Sequence, residues 1–257
     1  MLSTVLASRT VHGDSYTMLI ASERHTPNDL ELWRELEQAD LIHGERLMRS
    51  GKVAQSIEAI QRFAADGCDY AGWSGGKDST VLIHLLSLAG VKTPILYVKG
   101  MPVANPDTQL VKAALPFKIN EKVITYTGDD QHDNRVFFGA FRDAGQRYFS
   151  GIRADESGGR KIRMRKFGLT SANACAPLGW WTAQDCFGYL AIHGLPVHSA
   201  YAMLGGGRWD RKQIRVDELN MLPDAGGVSF GRDEWEREYY GDVLNKLATA
   251  AQGEPSM

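Results

Sequence analysis

The stretch Tyr70 to Ala89, YAGWSGGKDSTVLIHLLSLA, decides the fold of this chain. It opens with a short β-prone run that ends at Trp73. From Ser79 to Ala89 apolar side chains recur at helical spacing, and Gly90 then ends the pattern. Between the two runs lies the hexapeptide SGGKDS, residues 74–79. The sequence therefore predicts a strand, a glycine-rich turn and a helix in direct succession.

The glycine-rich turn has the composition of a phosphate-binding loop. Glycines let the backbone approach a ligand, the amides at a helix start donate to oxyanions, and the helix dipole adds about half a positive charge. Lys77 adds a full charge. A Walker A loop is excluded, because Ala71 stands where that loop needs glycine and Asp78 follows the lysine. A plain strand-to-helix turn is the alternative, but six specified residues in this context favour phosphate binding.

Short β-rich runs alternate with helical patterns on both sides of this loop. Further strands are predicted at 94–98, 122–126 and 147–152. A short helix is predicted to begin near Pro106, and a separate helix of about a dozen residues to end near Gly145. A capping-box pattern at Thr182 and Asp185 predicts another helix, which reaches His193. Such alternation is typical of an α/β fold in which helices cover both faces of a mainly parallel sheet. Ligands in these folds bind at the carboxyl ends of the strands.

Composition limits the class of protein. The 257 residues include 29 Lys and Arg and 31 Asp and Glu, a net charge of −2, so no global positive field attracts nucleic acid or an anionic membrane. The longest apolar run, 81–88, is far shorter than the ~20 residues of a membrane span. We expect no membrane partner and no secretory signal.

The cysteines point to an intracellular protein. Cys68, Cys175 and Cys186 are widely spaced and form no CxxC pair. Three cysteines in one chain cannot supply four thiolates to a zinc or iron–sulfur site, so no iron–sulfur cluster is expected. A reducing cytoplasm fits best.

Two local basic clusters stand out in this nearly neutral chain. The first lies between Arg153 and Lys166, where six basic residues accompany two acidic ones, and we read it as a loop. The second follows three consecutive glycines and suggests a lid; it comprises Arg208, Arg211, Lys212 and Arg215. Guanidinium groups suit phosphate or sulfate. Either cluster could instead be solvated surface, but the first follows a predicted strand whose end lies beside the glycine-rich turn.

Asp78 predicts a divalent cation. A carboxylate beside bound phosphates is repelled unless a metal ion bridges them, so Mg²⁺ is the expected partner. The alternative is that Asp78 caps the following helix. His193, His198 and Cys186 come nearest to a zinc set, but their spacing matches no zinc pattern.

The hexapeptide SGGKDS resembles the PP-loop of the adenine nucleotide alpha-hydrolase superfamily. Residues 55–220 are similar to its phosphoadenylylsulfate (PAPS) reductase branch. The run from Gly151 to Ser157, with Arg160, resembles the family's GxRxxES segment and its downstream arginine, and Pro177 to Tyr201 resembles its "P, W, D, then LP and Y" region. Lys99-Gly100 stands where that family usually has Asp-Thr-Gly.

This resemblance implies an α/β fold with a mainly parallel five-stranded sheet and helices on both faces. Residue patterns outside it predict helical N- and C-terminal extensions, so the predicted divisions are 1–50 as hairpin and helix, 51–220 as the nucleotide-binding domain and 221–257 as a helical extension. The implied nucleotide is ATP, or PAPS or APS, and the expected Mg²⁺ is placed on Asp78. The predicted catalytic residues are Lys77, Asp78, Arg153 and Arg160. The implied nucleotide-binding residues are Ser74, Gly75, Gly76, Lys77, Asp78, Ser79, Thr80, Gly151, Arg153 and Glu156, and the second basic cluster adds Arg208 and Arg211.

Three functions compete on this sequence. The first is cleavage of ATP at the α phosphate, which gives an adenylated acceptor and pyrophosphate. The second is PAPS reduction by a cysteine thiolate, but no cysteine follows Cys186 to serve as the family's C-terminal nucleophile, and the apolar neighbours of Cys175 indicate an inert thiol. The third is nucleotide binding without turnover. The acceptor stays open among sulfate, a small metabolite and a nucleic-acid base, as do a sulfur-donor protein and a homo-oligomer.

Overall fold

The computed structural model describes residues 18–99, 103–125, 127, 130–216, 218–219 and 231–252. A five-stranded parallel sheet of order β4-β2-β1-β5-β6 forms its centre, and β3 pairs with β7 in a small antiparallel ribbon. The strands are β1 Tyr70–Gly72, β2 Ile95–Lys99, β3 Val103–Ala104, β4 Ile119–Val123, β5 Tyr148–Phe149, β6 Ala174–Cys175 and β7 Glu218–Leu219. The predicted α/β class with its mainly parallel sheet is confirmed.

Eight α-helices are found in the described part of the chain. They are α1 Pro27–Arg49, α2 Lys52–Ala64, α3 Lys77–Leu88, α4 Pro106–Ala114, α5 Asp130–Ala144, α6 Gly158–Phe167, α7 Ala183–His193 and α8 Arg232–Gln252. Within these residues, no helix combines the length and the apolar character that crossing a bilayer requires.

Alternation along the central strands assigns a helix layer to each face of the sheet. Ala71 and Phe149 point into a large apolar cluster that also contains Leu82 of α3 and Phe187 of α7. Tyr70, one residue before Ala71, points the other way, into a cluster covered by α5. Because side chains of a strand alternate between faces, helices on both sides are needed to bury them.

Helix α1 lies unusually close to α7. A Cβ atom added to Gly44 would lie 2.4 Å from the carbonyl oxygen of Gly188, and one added to Gly188 would lie 2.9 Å from the Gly44 amide nitrogen. Two facing glycines therefore let the helix backbones touch. Trp33 of α1 and Trp235 of α8 belong to the same core cluster as α3 and α7, so both predicted extensions pack on one core. The division at residues 50 and 220 stays a prediction.

Several local expectations differ from the structure. The strand predicted at 122–126 lies at 119–123, and the two-residue β6 was not predicted at all. Asn28 is a plausible N-cap by its residue type, but Thr26, which forms a capping box with Asp29, starts α1. Most of the hairpin expected before residue 27 falls outside the described residues. The first basic cluster is not a loop: it contains α6, which Ser157 caps by accepting a hydrogen bond from the Arg160 amide. Only Met164 of α6 is buried, so no apolar periodicity announced that helix.

Candidate functional site

The predicted phosphate-binding loop lies at the carboxyl end of β1. Gly75 has a φ of +79°, which favours glycine, and a Cβ atom there would lie 2.7 Å from Cγ2 of Thr108. The Ser74 amide donates to Oγ of Ser79 at 3.2 Å, and that hydroxyl donates to the Gly76 carbonyl oxygen at 3.0 Å. These bonds hold the loop in shape. Because first-turn amides have no intrahelical acceptor, the start of α3 offers donors to an anion.

Lys77 is buried beside the loop as a cation. Its backbone amide donates to the Tyr201 hydroxyl at 3.1 Å, and its Nζ lies 5.2 Å from the centre of the Tyr201 ring and 5.7 Å from that of Phe187. Burial opposes the charge, but Tyr201 and Asp78 outweigh it and hold the pKa of Lys77 above its usual value. A charged ammonium is therefore available at the start of α3.

Asp78 lies between two cations. Its Oδ1 is 2.8 Å from Nε of Arg153, and its Oδ2 is 3.3 Å from Nζ of Lys77. Burial favours the protonated acid, but the charges of Lys77 and Arg153 outweigh burial and hold the pKa of Asp78 below its usual range. The Oδ1 and Nε atoms are close enough for an ion pair, yet neither makes a well-aligned hydrogen bond. Both atoms therefore retain hydrogen-bonding capacity.

Carboxylates on neighbouring segments fix the position of Arg153. Its Nη1 pairs with Asp155, whose other oxygen accepts a hydrogen bond from the Ala183 amide at 3.0 Å, at the start of α7. Glu156 accepts from the Arg153 amide at 2.7 Å and pairs with Arg160. One network therefore joins the segment after β5 to α7 and to the loop.

The end of β5 lies directly against the start of α3. A Cβ atom on Gly151 would lie 3.1 Å from the carbonyl carbon of Asp78, so glycine permits this approach. A cleft of about 1660 Å³ opens here. A small-molecule site typically has roughly 300–1000 Å³, so this cleft has room for a nucleotide and a second substrate. The predicted residues that line it are Ser74, Gly76, Lys77, Asp78, Ser79, Gly151, Arg153, Glu156 and Arg160.

Arg208 and Arg211, both predicted to bind the nucleotide, do not line this cleft. The Arg211 guanidinium is buried and makes two hydrogen bonds of 2.7 Å with the Asp40 carboxylate on α1. Arg208 pairs on the surface with Glu234 at 2.5 Å and Glu238 at 3.4 Å, both on α8. These ion pairs hold the two arginines against α1 and α8, away from the 74–79 loop, and they fix the position of residues 208–211.

Thr80 also faces away from the cleft. Its hydroxyl accepts a hydrogen bond from the Trp73 indole nitrogen at 3.3 Å inside the protein. It therefore supports the loop from behind, on the side away from the cleft. Gly75 likewise shapes the turn without lining the cleft.

Sequence reasoning missed several residues that line the cleft. Lys212 and Arg215 lie in the same basic cluster as Arg208 and Arg211, and nothing in the local sequence distinguishes the two pairs. Tyr201 belongs to the segment that resembles the family's "LP and Y" region. His43 arrives on α1, far from any predicted motif, and no signal in the sequence pointed to it.

The residues around Asp78 do not fit a resident Mg²⁺ site. Both carboxylate oxygens already face cations, which would repel a metal ion. Among the described residues, no cluster of three or more His, Cys, Asp or Glu side chains is arranged to hold a metal. Asp78 is instead placed to hold Lys77 and Arg153 at the mouth of the loop.

Comparison with known proteins gives similarity in structure alone. No protein-family model matches the chain, and no curated protein matches its sequence. The FMN adenylyltransferase of Candida glabrata in complex with ATP is 14% identical over 68% of this chain and 67% of that chain, with a TM-score of 0.46. A point mutant of that enzyme (10% identity, 84% and 90% coverage) gives 0.47, and a further structure of it (12%, 84% and 89%) gives 0.42. These low scores carry no conclusion about activity.

Proposed function

We propose that this chain binds an adenine nucleotide with its phosphates on the 74–79 loop and cleaves it at the α phosphate, releasing pyrophosphate from ATP. One observation carries the proposal: buried cationic Lys77 and Arg153 meet the glycine-rich start of α3 at the mouth of a large cleft. Two fixed cations and a helix N-terminus suit a polyphosphate. The PP-loop resemblance of SGGKDS supports the same ligand, and membership in the PAPS reductase branch is part of this proposal.

Catalysis under this proposal is mainly electrostatic. An acceptor attacks the α phosphorus, the bond to the bridging oxygen of the β phosphate breaks, and pyrophosphate leaves. Lys77, Arg153 and the loop amides stabilise the charge that develops on the leaving group, and the cleft orients the acceptor. Mg²⁺ enters the proposal only as an ion that accompanies the phosphates, since Asp78 is already paired.

The state of the cysteines argues against a thiolate reductase. Burial, and next the negative charge of Asp78, raise the pKa of Cys186 well above its usual value. Burial raises the pKa of Cys175 to about 12, and it also raises the pKa of Cys68. Because the thiolate is the nucleophile in such chemistry, protonated buried thiols are poor attacking groups. Cleavage of ATP is therefore preferred to reduction of PAPS.

Product analysis tests the proposal. ATP labelled at the α phosphate is incubated with the protein, labelled AMP and adenylated products are quantified, and pyrophosphate is measured by a separate enzyme-coupled assay. Lys77→Met should lower kcat by roughly 10²-fold or more, because it removes a preorganised charge at the leaving group. Lys122→Met is the matched control, because Lys122 pairs with Asp143 on the surface, away from the cleft.

The products separate the competing functions. Pyrophosphate from ATP, together with AMP or an adenylated product, supports the proposal. Sulfite and adenosine bisphosphate from PAPS would replace it with reduction. Tight ATP binding without products would make the protein a nucleotide-binding protein, and equal activity of Lys77→Met and Lys122→Met would overturn the site assignment.

A further inference from the structure

His43 reaches the cleft because α1 approaches α7 so closely. The next residue, Gly44, faces Gly188 across the contact between the two helices. This contact places His43 beside Asp185 in the first turn of α7, with about one third of the His43 side chain exposed. His43 lines the same cleft as Lys77 and Arg153. A titratable ring thus borders the site from an element outside the predicted nucleotide-binding domain.

The hydrogen bond to Asp185 fixes the protonation pattern of the ring. Nε2 of His43 lies 2.8 Å from Oδ1 of Asp185. Burial favours the protonated acid, but Lys52, the Thr182 amide and His43 outweigh burial and lower the pKa of Asp185. An ionised carboxylate only accepts hydrogen bonds, so Nε2 carries the proton and Nδ1 of neutral His43 is left as a proton acceptor.

Asp185 is itself held rigidly. Its Oδ2 accepts from Nζ of Lys52 at 2.7 Å and from the Thr182 amide at 2.7 Å, and its own amide donates to the Thr182 hydroxyl at 3.1 Å. The capping box predicted at Thr182 therefore does two things: it starts α7, and it orients the carboxylate that orients His43. A histidine ordered by a carboxylate is the usual arrangement of a general base.

We propose that His43, oriented by Asp185, is the general base that deprotonates the acceptor, and that the acceptor is a neutral group bearing a proton, such as a hydroxyl or an amine. The proposal rests on the function proposed above. The acceptor X–H gives its proton to Nδ1 of His43 while X bonds to the α phosphorus. The bond to the β-phosphate oxygen breaks, and its electron pair leaves with pyrophosphate.

The acceptor class follows from this chemistry. A fully ionised oxyanion such as sulfate has no proton to lose, so a base beside it would have no role. A hydroxyl or an amine is a weak nucleophile until it loses its proton during attack, and a positioned base typically accelerates such a step by about 10²–10⁴-fold. His43 thus favours a metabolite or a nucleic-acid base over sulfate among the open acceptors.

Two probe acceptors test the assignment on the full-length protein. Hydroxylamine is a neutral nucleophile that must lose a proton, and molybdate is an oxyanion without one. Pyrophosphate release from ATP is measured with each, because pyrophosphate is the product that both acceptors have in common. His43→Gln should lower kcat with hydroxylamine by about 10²-fold or more. The rate with molybdate and the KM for ATP should not change.

Charged groups surround His43 or share its cleft, so a control variant is needed. These groups are Asp40 on its own helix, Asp185 on α7, Lys52 on α2, and Asp210 and Lys212 along the cleft. The same substitution at exposed His132 on α5 is the matched control and should change nothing. His43→Ala is a second variant, whose hydroxylamine reaction free imidazole should restore.

Three results would overturn the assignment. The first is full activity of His43→Gln with hydroxylamine. The second is an equal loss with both probes together with no rescue by imidazole, which would indicate a structural role. These two leave the proposed function intact. The third, no pyrophosphate released by the wild-type protein with either probe, would remove the proposed function and this inference with it.

Discussion

Replacing Gly44 by alanine is the sharpest test of the close contact between α1 and α7. The new Cβ atom would lie 2.4 Å from the Gly188 carbonyl oxygen and 2.4 Å from Cγ1 of Ile192. Ordinary contacts between such atoms are about 3.5–4.0 Å, so the groups must separate by roughly 1 Å. The Ile192 side chain can rotate, but the carbonyl belongs to the backbone of α7 and moves only with that helix.

The expected loss of stability follows from two opposing effects. Alanine gains about 1 kcal/mol over glycine in a helix interior. Overpacking of a close contact costs about 1–3 kcal/mol and sometimes more, and a backbone obstacle places this site at the upper end of that range. We therefore expect Gly44→Ala to lower the free energy of unfolding by about 2 kcal/mol.

Urea unfolding followed by circular dichroism measures this change as a shift of the midpoint at constant slope. Gly241→Ala in α8 is the matched control, because a Cβ atom there meets nothing within 4 Å. The control should be neutral or should gain up to about 1 kcal/mol. A Gly44→Ala variant as stable as the wild type would refute the close approach of α1 to α7, and with it the placement of His43.

Three further predictions concern the buried charges and the cleft. Arg211→Met should destabilise the fold by about 3–5 kcal/mol in urea unfolding, because the Asp40 carboxylate stays buried without its partner. Adding Asp40→Leu to this variant should restore most of the lost stability. A double variant as unstable as Arg211→Met would contradict the pairing of these two side chains. Burial lowers the pKa of His84 to about 4 from its usual 6.5, so protonation favours the unfolded chain. Stability should therefore decline as the pH falls from about 6.5 to about 4. His84→Gln should flatten the plot of the urea midpoint against pH, and an unchanged plot would contradict this role of His84. In ATP titration calorimetry, Arg215→Ala should weaken binding about tenfold or more, and Arg208→Ala should leave binding unchanged. Weaker binding by Arg208→Ala and unchanged binding by Arg215→Ala would show instead that Arg208 contacts the nucleotide.

The sequence was most informative where local chemistry and local structure agree. The 74–79 loop could be recognised because its glycines, its lysine and the flanking strand and helix lie within twenty consecutive residues. Strands β1 and β2 could be placed for the same reason. The two-residue β6 is too short to show any alternation, and α6 has only Met164 buried, so neither has a periodic pattern to detect.

Long-range pairing accounts for the differences between the predicted site residues and the residues that line the cleft. Four basic residues share the segment 208–215, and nothing within it says which of them face the cleft. The choice is made by Asp40, 171 positions from Arg211, and by the carboxylates of α8 that hold Arg208. His43 could not be placed at all, because its position depends on two glycines 144 residues apart (188 − 44) that meet only in the folded chain.

The buried thiol of Cys186 provides a way to measure local opening of the protein. This side chain lies on the inner face of α7, close enough to Asp78 for that charge to act on it, and it stays protonated. Alkylating reagents attack thiolates that they can reach, so this sulfur should react only when local opening of the core exposes it. The rate of alkylation at Cys186 therefore measures how often the core around α7 opens. A ligand bound in the cleft beside Asp78 should lower that rate.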